Sequence, residues 1–226
     1  TVYIPVTKRA SASTISVVNE VKSNLAKFQS LLPDDVTVSY QLDQSKYVTD
    51  ALWAVVREGA LGAGLVGLTI LLFLGSWRSA VIVVAIIPVV LLTAVIGLWL
   101  AGQTINIMTL GGLALAIGIL VDEGVVLLEH IDFHRAGGKP LARAVLDASG
   151  EVAVPRLLAM MCIVAVFLPA FFMSGPAQAL FLPLSLAVAF AMAASYLLFT
   201  IFVPILSNWL GDDRKAREEA HWYQRI

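Results

Sequence analysis

Charged residues are scarce in this chain of 226 residues, and two long stretches contain none. Asp, Glu, Lys and Arg together make up 14% of the sequence, whereas hydrophobic residues make up 59%. Soluble domains have about 25% charged and about 45–50% apolar residues. No charge occurs between Ser79 and Val121, or between Leu157 and Gly211. Such runs exceed the ~20 residues that cross a bilayer, so the composition excludes an ordinary soluble domain and predicts a polytopic membrane protein.

The chain also lacks a disulfide framework and the common nucleotide and metal motifs. Its single cysteine, Cys162, lies in an apolar run, so no internal disulfide can form. The pattern G-x-x-x-x-G-K-[ST] is absent, which leaves no sign of an ATP site. His130 and His134 are four residues apart, but H-E-x-x-H and a third ligand are missing, so no metal site is expected. We therefore predict neither an enzyme nor a bound cofactor.

The first 50 residues have the pattern of a small soluble unit. "TVYIPV" (1–6) suits a strand, apolar residues recur at helical spacing from Ser13 to Leu32, and "VTVSYQL" (36–42) alternates as a half-buried strand does. We predict a β-α-β segment over residues 1–50. Because this unit is too small to be a domain alone, and no signal peptide opens the chain, we expect a fragment of a larger subunit.

Five apolar stretches after residue 50 are each long enough to span a membrane. The loops at 75–79 and 132–152 and the tail after residue 210 carry Lys and Arg, whereas the opposite loops "AGQTIN" and "MSGPAQ" carry none. This asymmetry predicts that the first face is cytoplasmic and that residues 1–50 are periplasmic. The tail, 211–226, is predicted to form a cytoplasmic amphipathic helix or a plain solvated one. The predicted bundle, 51–210, has spans at 52–74, 80–100, 105–131, 153–174 and 178–208.

Two adjacent acids, Asp122 and Glu123, interrupt the third apolar span. A charge at the centre of a membrane helix costs about 2.5–3.5 kcal/mol on insertion scales, so intramembrane acids are functional candidates by default. Small residues precede the pair at spacings of three and four, and we expect this helix face to press closely against another helix. Along this face lie Asp122 and its possible supporting residues, which are Gly111, Ala114, Gly118 and, near the cytoplasmic end, Glu129.

We interpret the acid pair as a proton relay. Burial and a like-charged neighbour both favour the protonated form of a carboxyl, and such a pair titrates as a coupled unit. It can bind a proton from one side and release it to the other when its surroundings change. The structural alternative is that one acid pairs with a cation or hydroxyl and only fixes helix packing. Because no Lys or Arg lies deep in a predicted span, we expect a cation partner to come from sequence that is not present here.

Several segments, in the expected order, resemble resistance-nodulation-division (RND) efflux pumps. "INIMTLGGLALAIGILVDEGVVLLEHI" (105–131) is similar to the fourth transmembrane helix of that family, whose pattern is G-x-x-x-A-x-G-x-x-V-D-[DE]-x-x-V-x-x-E. "LFLGSWRSAVIVVAIIPVVLL" (72–92) resembles the junction of its second and third helices, and "FLPAFFMSG" (167–175) resembles the end of its fifth. The "YIPV" and "LLPDDVTVSYQLDQSKYV" stretches resemble the last part of the periplasmic porter domain.

The resemblance covers essentially the whole chain and implies a piece of the N-terminal half of a twelve-helix, bacterial inner-membrane permease. In that family the acids at the positions of Asp122 and Glu123 take part in proton translocation, together with a lysine on a helix of the second half. The resemblance implies a homotrimer that works with a periplasmic adaptor, an outer-membrane channel and membrane lipids. Proton motive force would drive it in place of a cofactor, and nucleic acid has no part in it.

The acid pair departs from the family in a way that bears on the substrate. Many drug pumps have two aspartates and metal exporters usually have Asp-Ala, so Asp122-Glu123 favours small organic or amphiphilic compounds. The alternatives are a proton-coupled lipid exporter, a protein-translocation accessory or a metal-ion efflux permease. An intramembrane aspartyl protease is a further alternative, but it needs aspartates on two helices and no second deep aspartate occurs in the sequence.

Overall fold

Five long helices make up most of the chain. The computed structural model describes residues 2–9, 12–33 and 35–210, without the side chains of residues 121–123. The predicted amphipathic tail, 211–226, lies outside the described residues. Each of the five helices is long and apolar enough to cross a membrane, which confirms the prediction of a polytopic bundle. In chain order they are α3 (Ser45–Leu74), α4 (Trp77–Leu100), α5 (Ile107–Ala136), α6 (Leu141–Phe167) and α7 (Pro176–Leu210).

The N-terminal segment contains two short helices, α1 (Thr14–Ser23) and α2 (Leu25–Gln29), and no strand among its described residues. The predicted helix is therefore confirmed, but the two strands of the β-α-β prediction are wrong. A strand is held by backbone hydrogen bonds to a neighbouring strand. In the second predicted strand, two backbone groups bond to a side chain instead. The Gln29 carboxamide donates to the Val36 carbonyl at 2.7 Å and accepts from the Val38 amide at 2.8 Å.

Glycine and hydrogen-bonding side chains at the helix ends explain where several of the helices begin and end. Gly75 follows α3 with φ +61°, a conformation that only glycine adopts without strain. The Ser76 hydroxyl then accepts from the Ser79 amide at the start of α4. At the start of α5 the Asn106 side chain accepts from the Thr109 amide, and the Thr109 hydroxyl accepts from the Asn106 amide, which forms a reciprocal cap.

The helices extend beyond the predicted spans. The largest difference is in α6, which begins at Leu141 whereas the apolar pattern predicts a span from 153. Hydropathy marks the part of a helix that suits lipid, and the first turns of α6 are helical but polar. After Phe167 the chain tightens into a 3₁₀ turn, Leu168–Phe172. Pro169 lies in this turn and has no backbone amide to donate to a continuing helix.

Helix α5 is the centre of the bundle and packs against α3, α4, α6 and α7. Its most apolar window is 53% buried, against 11–44% for the other four helices. Two hydrophobic clusters fill the spaces around it. One contains Val66, Val83, Leu120 and Phe199, and the other contains Val55, Leu98, Leu113 and Ala187.

The loops lie at two ends of the bundle, which we name for their residues. At the N-terminal end, Ser13 lines a cavity together with Trp99 and Gln103, so the N-terminal segment adjoins the loop between α4 and α5. At the basic end, Arg78 donates to the Leu210 carbonyl at 3.2 Å, which brings the start of α4 to the end of α7. Helices α5 and α7 run in the same direction, since Gly112 adjoins Leu184 and Gly124 adjoins Phe199. The α5–α6 loop, 137–140, therefore lies at the basic end, where α7 also ends.

Candidate functional site

The acid pair lies in an unbroken stretch of α5, and its two positions fall on different faces of the helix. The side chains of Asp122 and Glu123 lie outside the described residues, so their faces follow from the helical repeat of about 100° per residue. Position 122 falls on the side of Gly111, Gly118 and Glu129. We call this side the open face of α5. Position 123 falls about 100° around the helix from it, towards the buried side, which we call the packed face.

The open face is uncovered by the described helices. Gly111, Gly118 and Glu129 are exposed and Ala114 is half-buried. A Cβ atom added at Gly111 or Gly118 would meet no atom within 4 Å. The close helix contact predicted for this face is therefore not made within the described part of the chain.

The packed face carries the glycines at which α5 meets its neighbours most closely. A Cβ at Gly112 would lie 2.6 Å from the Leu184 carbonyl oxygen of α7. A Cβ at Gly124 would lie 2.7 Å from Val83 Cγ1 and 2.8 Å from Phe199 Cε1. Separations below 3.0 Å cannot be accommodated without displacement. Glycine thus allows α7 to approach α5 beside the acid pair, but at other positions than those predicted.

A buried arginine on α6 lies against Phe199, and the sequence patterns described above do not single it out. Arg156 is only 7% exposed, and its guanidinium carbon lies 5.3 Å from the centre of the Phe199 ring. Arg156 lies near one end of the predicted span 153–174, yet it is buried in the fold, so a cation partner for the acids need not come from outside this chain. The signal for it was the spacing of the buried stripe of α6, which continues to Arg156 from Leu141, Val145, Ala148 and Val152.

Helix α7 adds a hydroxyl to this region. Ser195 is fully buried one turn before Phe199, and Phe199 is itself fully buried. Buried hydroxyls are hydrogen-bonded in folded proteins. Arg156, Phe199 and Ser195 thus place a permanent cation, an aromatic ring and a hydroxyl in the region where α6 and α7 pack, and Phe199 reaches α5 at Gly124.

A second polar cluster joins α5 to α6 at the basic end. His134 is buried, and its Nε2 lies 3.0 Å from a Glu151 carboxylate oxygen while its Nδ1 lies 3.0 Å from Lys139 Nζ. Because an ammonium group only donates, Nδ1 accepts from Lys139 and Nε2–H donates to Glu151. Lys139 also donates to Asp147 at 2.6 Å. His134 thus belongs to a hydrogen-bonded latch between helices. Among the described residues no group of three or more His, Cys, Asp or Glu could hold a metal ion.

Comparison with known proteins extends the similarity over the whole chain. The family model for the AcrB/AcrD/AcrF family matches residues 1–226. The chain is 34% identical over 226 residues to the swarming motility protein SwrC of Bacillus subtilis, with 95% of the chain and 21% of the relative covered. It is 30% identical over 219 residues to the multidrug resistance protein MdtC of Citrobacter koseri, with 96% of the chain and 21% of the relative covered. The chain spans about a fifth of the length of these curated relatives.

Proposed function

The chain belongs to the AcrB/AcrD/AcrF family, and we propose that it forms part of the membrane domain of a proton-driven efflux permease. In this proposal the α5 acids, Asp122 and Glu123, relay protons inward across the membrane. The bundle changes shape as the pair gains and loses protons, and this change drives the export of a substrate. The protein acts as a transporter rather than an enzyme, and the proton motive force supplies its energy.

The position of the acid pair in the central helix is the observation that carries this proposal. Helix α5 contacts each of the other four membrane helices, so a change in the charge of its acids acts on the whole bundle. Ionisable groups within a membrane segment are costly and usually mark proton or ion pathways. Moving one charge through 100 mV is worth about 2.3 kcal/mol, which is enough to shift a two-state equilibrium by more than tenfold.

The two faces of α5 support different tasks for the two acids. Position 122 lies on the open face, where the exposed Gly111 and Gly118 leave room for another helix to approach and withdraw. Asp122 is therefore proposed as the carboxyl that exchanges protons with the two sides. Position 123 lies on the packed face, and Glu123 is proposed to couple the charge of the pair to the packing of α6 and α7.

The distribution of Lys and Arg supports an orientation with the basic end in the cytoplasm. Arg78, Arg135 and Lys139 lie at that end, whereas the loops 101–106 and 173–175 carry no Lys or Arg. We propose that the N-terminal segment lies in the periplasm as part of a porter domain and that the protein resides in the inner membrane. A homotrimer working with a periplasmic adaptor and an outer-membrane channel is the assembly we propose.

Small organic or amphiphilic compounds are the proposed substrates. The Asp-Glu pair supports this class over metal ions, for which the family's usual pair is Asp-Ala. One relative, the Citrobacter koseri protein, is named for multidrug resistance, which also supports the export of organic compounds.

The exchange of Asp122 for Asn in the intact protein tests the relay. The amide has the size of the carboxyl but cannot bind and release a proton at physiological pH, so proton-dependent export should be lost. Export of a fluorescent amphiphile is measured in proteoliposomes with an imposed pH gradient. Asp50→Asn is the matched control, because Asp50 is exposed at the start of α3 and its loss should leave export unchanged.

Membrane insertion is measured in the same preparations, since the relay variant should accumulate in the membrane as the unchanged protein does. Undiminished export by Asp122→Asn would contradict the proposed relay. Equal loss of export in Asp50→Asn would show that the assay does not report on the intramembrane acid.

A further inference from the structure

Arg156 carries a permanent positive charge in a buried environment, where a charge is tolerated only with an interacting partner. Its guanidinium does not deprotonate in proteins, its exposed fraction is 7%, and it occupies a position on the buried stripe of α6 that is otherwise apolar. A buried, uncompensated charge is strongly destabilising, whereas a paired and hydrogen-bonded one is tolerated. The Phe199 ring at 5.3 Å contributes a cation–π contact but no opposite charge.

The described acids of the helices packed around Arg156 are bonded to other residues or placed elsewhere. Helix α7 has no charged residue from Pro176 to Leu210, and α4 has none after Arg78. On α6, Glu151 is bonded to His134 and Asp147 to Lys139. The described acids of α5 also lie elsewhere, because Glu129 is exposed on the open face and Asp132 lies towards the basic end.

The register of α5 places Glu123 on the side of Arg156. Position 123 falls on the packed face with Ala116, Leu120 and Leu127, all of which are buried. Its neighbour Gly124 contacts the Phe199 ring through the gap that its missing side chain leaves, and Arg156 lies over that same ring. Gly124, the residue after position 123, and the guanidinium of Arg156 therefore both lie against the Phe199 ring.

We propose that Arg156 is the positioning counter-charge of Glu123 and holds that carboxyl in its ionised form. This inference rests on the proposed relay and divides the acid pair between two roles. Glu123, neutralised by a fixed cation from α6, stays charged and locks α5 to α6 and α7. Asp122, on the open face, then binds and releases the mobile proton. A glutamate at this position, in place of the aspartate of many related pumps, supplies a longer arm towards the arginine.

Loss of the Arg156 charge should change the pH dependence of carboxyl protonation in a definite direction. Removing an opposite charge next to a carboxyl favours its protonated form. Arg156→Gln in the intact protein should therefore raise the midpoint of carboxyl protonation, followed by the carboxylic C=O band in infrared difference spectra. The pH at which export is half-maximal should rise in the same direction. Arg156→Lys keeps the charge and should restore most of the unchanged midpoint.

Two further variants identify the partner and control for charge. In a Glu123→Gln background, Arg156→Gln should produce little additional shift of the protonation midpoint, because the carboxyl that interacts with the arginine has already been removed. Arg143→Gln is the matched control. Arg143 lies on the same helix but is exposed and faces Asp147 at 3.6 Å, so its loss should leave the midpoint unchanged.

Each outcome has a definite consequence. An unmoved midpoint in Arg156→Gln, or an equal shift in the Glu123→Gln background, would overturn the pairing. Should Arg156→Gln fail to accumulate in the membrane, the double exchange Arg156→Met with Glu123→Met must restore accumulation, because two apolar groups replace the charge pair; failure to restore it would also overturn the pairing. Failure of the pairing can be distinguished from failure of the relay. Asp122→Asn tests the relay alone, and the infrared spectra of the Glu123 and Arg156 variants report on the pairing whether or not export is lost.

Discussion

At the residue scale, one missing side chain decides how closely two helices approach. Gly124 has Val83 and Phe199 within the space that a Cβ would occupy, and Phe199 in turn carries Arg156 on its ring. Gly118, only six positions earlier, faces open space. The same amino acid thus sets a contact at one position and leaves a surface uncovered at the other, next to the same pair of acids.

Gly124→Ala should destabilise the bundle although alanine is the better helix former. The added methyl group must displace the Phe199 ring and the Val83 side chain, and overpacking of this kind costs about 1–3 kcal/mol, more than the ~1 kcal/mol gained in helix propensity. The apparent melting temperature in detergent should fall. Gly150→Ala is the control, since a Cβ there meets no atom within 4 Å and should not lower the melting temperature. Equal melting temperatures for the two variants would contradict the close contact.

At the scale of elements, polar links tie the helices together where they leave the apolar core. The latch of His134, Glu151 and Lys139 joins α5 to α6 at the basic end. At the N-terminal end, Lys22 of α1 donates to Asp43 at 2.5 Å, just before α3 begins. Such links matter because hydrophobic packing is non-directional and does not by itself fix how one helix end sits beside another.

The link between Lys22 and Asp43 predicts an acid-sensitive N-terminal segment. The hydrogen bond from Lys22, with a further one from Ser45, lowers the pKa of Asp43 from 3.8 to about 2. A carboxyl whose pKa is lowered by folding stabilises the folded form above its unfolded pKa and loses that contribution as pH falls through the folded one. The stabilising effect should thus be complete above pH 4 and be lost between about pH 4 and pH 2.

Hydrogen–deuterium exchange of the α1 amides measures this effect. Exchange, corrected for its intrinsic pH dependence, should accelerate as pH falls through that range. In Asp43→Asn the α1 amides should exchange faster at neutral pH, and their exchange should no longer respond to pH in this window. A protection profile in which Asp43→Asn matches the unchanged protein would show that the link does not hold α1.

At the scale of the whole molecule, the bundle is asymmetric in both charge and packing. The loops of the basic end carry Lys and Arg, whereas the two loops of the opposite end, 101–106 and 173–175, carry none. Helix α5 is covered by α3, α4, α6 and α7, and within the described part of the chain the side that carries position 122 is uncovered. The molecule therefore has a defined polarity along the membrane normal and a defined open face in the membrane plane.

Site-directed labelling should find the two ends on opposite sides of the membrane. In a Cys162→Ser background, Ser30→Cys lies in the exposed part of the N-terminal segment and Arg143→Cys lies exposed at the start of α6. A membrane-impermeant maleimide added to intact spheroplasts should label only the cysteine at position 30. The cysteine at position 143 should react after permeabilisation, which also confirms that it is present. The reverse pattern would invert the proposed orientation.

Local sequence patterns were sufficient to predict the helices but not the contacts between them. Uncharged runs of more than about 20 residues predict membrane-spanning helices. Caps such as Asn106 act within a few residues, so both features can be recognised in the sequence itself. The strands around Val2 and Val36 were wrongly predicted because strand formation depends on a partner that is distant in sequence. At Val36 and Val38 the Gln29 side chain bonds to the backbone groups instead, and this contact has no local signature in the sequence.

What the sequence determined by itself is the class of the molecule, its five apolar helices and the presence of an acid pair in the third of them, because hydropathy and helical periodicity are properties of contiguous residues. Only the tertiary structure decided which glycines touch a neighbour, that Arg156 is buried beside Phe199, and that the two acid positions lie on unlike faces. Those facts depend on the rotation of α5, α6 and α7 about their axes. That rotation is set by the packing of all the helices together and by no single stretch of the chain.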